Sequence, residues 1–159
     1  MTEVKHSQAV WNILFFIGWV MFWWSLFLPV NTSIGGLTDA GRPYYGFLHL
    51  FYSIVALYAV PAAVLRWNDL PFMTAMAGVG ICNLIMIFSP LLLLLKRKKS
   101  VFFKYLMPVC AVYICIFGTI VSYHFRPIRY GHYVWCLSFI IAAFAFILKY
   151  DDSRQSVFK

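Results

Sequence analysis

Thirty-three consecutive residues between Lys5 and Asp39 carry no Asp, Glu, Lys or Arg, and four more such gaps follow. They lie between Arg42 and Arg66 (23 residues), Asp69 and Lys96 (26), Lys104 and Arg126 (21), and Arg129 and Lys149 (19). A helix needs about 20 mainly apolar residues to cross a hydrocarbon core of roughly 30 Å, so each gap has room for one span. The expected fold is an all-α polytopic membrane helix bundle of about five transmembrane helices with short loops. The spans fall at about 11–30, 46–65, 71–95, 101–123 and 131–148, within one membrane domain covering residues 1–159. Composition points the same way, with 63% hydrophobic and 11% charged residues and a mean hydropathy of +0.80. A soluble domain carries about 25% charge. Too little polar surface is left for a soluble globule, a disordered tail, a nucleic-acid-binding domain or a secreted disulfide scaffold.

Two other apolar architectures fail on pattern. The first gap contains Trp11, Trp19, Trp23 and Trp24 and no small-residue cleavage site, so it reads as a retained span rather than a signal peptide. Solid apolar runs of twenty residues also exclude an outer-membrane barrel, whose strands alternate polar and apolar. Pro29, Pro71 and Pro90 are expected at or near span ends, whereas Pro61 and Pro108 lie further inside and predict kinks. The long connection is 31–45, with Gly35, Gly36, Gly41 and Pro43. Its Asp39, Arg42, Tyr44 and Tyr45 are candidate contact residues.

Lys and Arg accumulate on the cytoplasmic side of a membrane protein. With five spans, one side holds Arg42, Lys96, Arg97, Lys98, Lys99, Lys104, Lys149, Arg154 and Lys159, and the other holds Lys5, Arg66, Arg126 and Arg129. Nine against four predicts an outside N-terminus and a cytoplasmic C-terminus in the cell (inner or plasma) membrane. Lys96, Arg97, Lys98 and Lys99 form a stop-transfer anchor or, on the same electrostatics, an anionic-lipid patch.

Few polar residues lie at depth. Asn83 stands near the middle of the third gap and requires a hydrogen-bonding partner, either another helix or a ligand. Thr74, Gly78 and Cys82 repeat every four residues on the same segment, a small-residue stripe that permits close helix approach or a homo-oligomer seam. Ala111, Cys115 and Thr119 repeat that spacing on the fourth span, so the third and fourth spans are expected to pack through these faces. His49, in this topology, starts the second span on the cytoplasmic side, while His124 and His132 flank an outer loop. That separation in depth argues against a haem or metal site, and no cofactor is expected. Cys82, Cys110, Cys115 and Cys136 lie within spans and read as small apolar side chains. No CxxC, HExxH, GxSxG or phosphate loop occurs. Asn31-Thr32-Ser33 matches a glycosylation acceptor but lies close to the membrane on the cytoplasmic side of this topology. Aromatics near span ends, including Trp11, Tyr44, Tyr45, Trp67, Tyr105, Tyr123, Tyr130, Tyr133 and Trp135, read as an interfacial belt. Trp19, Trp23 and Trp24 lie deeper, where they face lipid or a partner.

All five acidic residues, Glu3, Asp39, Asp69, Asp151 and Asp152, fall in tails or loops. Intramembrane catalysis and proton-coupled transport both demand ionisable groups at depth. The expected function is therefore non-enzymatic. The chain reads as a small membrane protein that recognises another membrane component through its helix faces and the 31–45 loop, as immunity, assembly or accessory proteins do. Its partners would be the lipid bilayer and a membrane protein, a toxin or a second copy, with no nucleic acid. The alternatives are a homo-oligomeric channel or small-solute carrier, and a redox or lipid-modifying enzyme using His49, His124 or His132.

Overall fold

A computed structural model of the chain describes residues 2–32, 43–63, 70–94, 100–124 and 129–155. Helix α1 (Thr2–Phe27) leads into a two-stranded antiparallel ribbon of β1 (Pro29–Thr32) and β2 (Pro43–Tyr45). There follow α2 (Gly46–Ala63), α3 (Leu70–Leu94), α4 (Ser100–Tyr113), a π-turn (Ile114–Gly118), α5 (Thr119–His124) and α6 (Tyr130–Gln155). Because α4, the π-turn and α5 are continuous, five helical segments stand where the charge gaps place them. Among the described residues, four helical segments are long and apolar enough to cross a bilayer: Ala9–Phe27, Leu70–Leu91, Lys104–Val121 and Tyr130–Lys149. The chain is a multi-pass helical membrane protein.

Local chemistry sets the boundaries. Helix α1 stops one residue short of Leu28, whose helical conformation is disfavoured by the ring of Pro29. The ribbon then closes directly on the helix end, with Gly46 N–H donating to the Leu28 carbonyl at 3.1 Å. Pro90 lies inside α3 rather than at its end, and the helix continues to Leu94. A proline cannot donate to the carbonyl four residues back, which here belongs to Met86. The hydroxyl of Ser89 donates to that carbonyl instead, at 2.6 Å, so the helix passes through without an orphaned acceptor.

Contacts along the seams fix the direction of every helix. On α1 and α6, Lys149 Nζ stands 4.9 Å above the Trp11 ring, Phe15 meets Phe146 at 5.7 Å and Phe22 meets Phe139 at 5.9 Å. Near the start of α6, Gly131 abuts Leu28 and Pro29, so the two helices are antiparallel. Helix α6 is antiparallel to the α4–α5 segment, with Thr119 beside His132 and Gly118 under the Trp135 ring. Helix α4 is antiparallel to α3, with Tyr113 at Ala75 and Gly78 and Cys110 at Cys82. Helix α2 is antiparallel to α3, since Ser53 backs onto Gly80 and Ala56 packs with Met76 and Ala77.

These directions make α1 and α3 opposite, with α2 parallel to α1. The chain leaves α1 beside Asn83, the middle of α3, and α2 runs from there alongside the first half of α3. Trp11 and Lys149 also share one end. The 23-residue gap from Arg42 to Arg66 looked long enough for a span, but β2 takes its first three residues and leaves an 18-residue helix.

Close approach along the α1–α6 seam depends on Gly18. A Cβ there would lie 2.9 Å from the Ser138 carbonyl oxygen and 3.0 Å from the Ala142 nitrogen, both backbone atoms that cannot move aside. Gly18→Val should destabilise the bundle by about 1–3 kcal/mol, as overpacking does. Thermal unfolding in detergent should show the loss, while Val20→Leu, on the exposed face of the same helix, leaves the midpoint unchanged.

Candidate functional site

Interior polar side chains gather where α2, α3, α5 and α6 meet. Trp135 is the centre of the group, and it is 5% exposed, so it is a core residue and not part of an interfacial belt. Its indole Nε1–H donates to Asn83 Oδ1 at 3.0 Å. The same ring packs against His49 at 5.2 Å and His132 at 5.6 Å between centroids, with Phe139 edge-on at 6.3 Å. Asn83, required by its depth to have a partner, thus finds it on α6.

His49 and His132 come together because α2 and α6 start at the same end of the bundle. The depth argument that separated them rested on α2 crossing the membrane, and the packing overturns it. A small cavity beside this cluster is lined by Ser25, Leu26, Gly46, His49, Leu50, Asn83 and Trp135. His49 is 3% exposed, and its Nε2 has no hydrogen-bond partner among the described residues. Trp19 Nε1 is in the same position on α1.

A second polar chain runs along the α5–α6 seam. Thr119 Oγ1 donates to the Cys115 carbonyl at 2.6 Å and lies 3.1 Å from His132 Nε2, which is 3.4 Å from Cys136 Sγ. A hydroxyl has one proton, and here it goes to the carbonyl, so the His132 nitrogen supplies the hydrogen in its contact with Thr119. Other interior hydroxyls are satisfied inside their own helices: Ser25 on the Phe22 carbonyl, Ser53 on Leu50 and Ser138 on Trp135.

The small-residue stripe is divided among different neighbours. Gly78 receives the Tyr113 ring, whose hydroxyl donates to the Ala75 carbonyl at 3.4 Å, and Cys82 faces Cys110. Thr74 is exposed and bonds to the Leu70 carbonyl of its own helix. The stripe at Ala111, Cys115 and Thr119 was expected to pack on the third span, but Cys115 and Thr119 turn toward α6. The π-turn explains the change, since one extra residue in the turn rotates everything after it by about 100°. Among the loop candidates, Tyr45 is exposed and stacks on Phe47 at 6.1 Å. Asp39, Arg42, Lys96, Arg97, Lys98 and Lys99 lie outside the described residues, as do the side chains of Tyr44, His6 and His124.

Among the described residues no group of three His, Cys, Asp or Glu side chains converges on a metal-sized site. The cluster holds neutral donors and acceptors in contact with one another, which ties α2 and α3 to α6. Asn83→Leu should leave the buried Trp135 N–H unpaired and cost about 1–2 kcal/mol in detergent unfolding. Trp135→Phe in the Asn83→Leu background should cost less than it does alone, because the N–H left without an acceptor is then removed as well.

The chain matches no protein-family model, and no curated protein or solved structure shows significant similarity to it.

Proposed function

We propose that this chain is a small, non-enzymatic integral membrane protein that binds another membrane-embedded component through α2 and the adjoining ribbon. The observation that carries this reading is the outer face of α2. Phe47, Phe51, Val55 and Tyr58 recur at helical spacing and are all exposed, Tyr58 to 82%. Tyr45 extends the row onto the ribbon by stacking on Phe47. A row of large apolar side chains on a non-crossing helix suits an apolar helix of a partner laid along it. The inner face of α2 is held by Ser53 at Gly80 and by Ala56 on Met76, so the row is presented on a fixed support.

The interior supports the same reading. No Asp, Glu, Lys or Arg lies within the four apolar stretches except Lys104 and Lys149 at their ends. Asn83, Gly78 and Cys82, which would line a path in a channel, are occupied by Trp135, Tyr113 and Cys110 of the same chain. Immunity proteins, assembly factors and accessory subunits have this format, and a toxin or a subunit of a larger complex is the class of partner it fits.

Four crossings change the orientation count. Counted along the sequence for four crossings, the tails and the connection after the second crossing hold Lys5, Lys96, Arg97, Lys98, Lys99, Lys104, Lys149, Arg154 and Lys159, against Arg42, Arg66, Arg126 and Arg129 in the other two connections. Nine against four supports a reading with both termini in the cytoplasm of a cell membrane and the ribbon and α2 outward. Alkaline phosphatase inserted within 33–42 should be active, and the same enzyme fused after Lys159 inactive. The reverse pattern would contradict this orientation.

Phe51→Ala combined with Tyr58→Ala should reduce partner recovery from native membranes at least tenfold, since two central aromatic anchors are worth more than about 1.4 kcal/mol. Val112→Ala with Ile120→Ala, on the exposed face of α4 and α5, should leave recovery unchanged. Equal losses from both pairs, measured by quantitative mass spectrometry, would refute a specific role for α2.

A further inference from the structure

The register that sets Thr119 beside His132 also aligns the residues one turn away on each helix, Cys115 and Cys136. The polar chain already described joins them: Cys115 carbonyl, Thr119 hydroxyl, His132 Nε2 and Cys136 Sγ, with separations of 2.6, 3.1 and 3.4 Å. Neither thiol is in a disulfide. They are only partly buried, at the margin of the core, whereas Cys82 and Cys110 pair inside it. Cys115 reaches α6 because it lies in the π-turn, a local distortion met often at functional sites.

We propose that Cys115 and Cys136 are a redox-active dithiol oxidised by a lipid-soluble quinone. Cys136 is six residues into α6 from Tyr130, about 9 Å along the helix axis, within the apolar stretch Tyr130–Lys149. Water-soluble disulfides do not reach that depth, and an acceptor of two electrons and two protons that dissolves in lipid does. In the reaction the Sγ–H bonds of both cysteines break and one Sγ–Sγ bond forms. The two electrons and two protons released pass to the quinone, which leaves as the quinol. The His132 Nε2–H, shared between Thr119 and the Cys136 sulfur, stabilises negative charge developing on that sulfur as its proton departs. The product is a covalent tie between the π-turn and α6.

The test uses the full-length reduced protein in lipid nanodiscs, without oxygen, and a short-chain ubiquinone as the probe. After exposure the protein is denatured, its free thiols are alkylated, and intact mass and peptide maps are recorded. Two of the four cysteines should resist alkylation, the map should link Cys115 to Cys136, and one quinol should form per disulfide. Cys136→Ser should keep its three thiols alkylatable and yield no quinol. Four alkylated thiols after quinone treatment, or a bond between Cys82 and Cys110, would overturn the proposal. So would a Cys115–Cys136 bond that forms with copper phenanthroline but not with the quinone, since that shows proximity without the acceptor.

Discussion

Helix α1 lies tight against α6 because Gly18 leaves room for the Ser138 carbonyl and the Ala142 amide, with phenylalanine pairs above and below the gap. This antiparallel contact decides the rest of the architecture. Because α6 is antiparallel to α4 and α4 to α3, α1 and α3 must oppose each other. The 42 residues between Leu28 and Pro71 include α2, which runs alongside the first half of α3. Helix α2 becomes a ledge beside the bundle. His49, on its first turns, meets the Trp135 ring for the same reason.

In a bilayer polar groups need partners inside the protein, and among the described residues short local substitutions supply many of them, though not those of His49 Nε2 and Trp19 Nε1. Ser89 takes over the carbonyl that Pro90 cannot serve, and Thr119 and Ser138 bond within their own helices. The bond from Trp135 to Asn83, 52 residues away in sequence, is made across helices, as are those of Tyr113 to Ala75 and of Thr119 with His132. It couples α3 to α6 at the point where α2 also docks. Stability and the presentation of the α2 face therefore depend on the same small cluster.

Much of the helical layout was legible in the spacing of the charges, since a charge-free run of about 20 residues in so apolar a chain forms a helix of membrane length. The behaviour of the second segment was not. Residues 43–45 of its gap pair with β1, and the helix that follows runs along the first half of α3 with Ser53 at Gly80. Asn83 was legible as a residue needing a partner, but not the identity of that partner, because Trp135 sits near a span start where aromatics ordinarily meet the interface. The meeting of His49 and His132 on the Trp135 ring was not legible either, because it depends on where α2 docks. The π-turn was not legible either, and Thr119, which follows it, meets His132 of α6.

The proposed recognition role rests on the exposed aromatic face of α2, and the placing of that face depends on the direction of α6 relative to α1. Cysteine cross-linking measures that direction. In a background without native cysteines, Trp11→Cys paired with Lys149→Cys should form a disulfide readily in native membranes, and Trp11→Cys paired with Tyr130→Cys should not. The opposite result, a bond from position 11 to position 130 and none to 149, would make α1 and α6 parallel, require a fifth crossing, and contradict the four-span arrangement on which α2 depends.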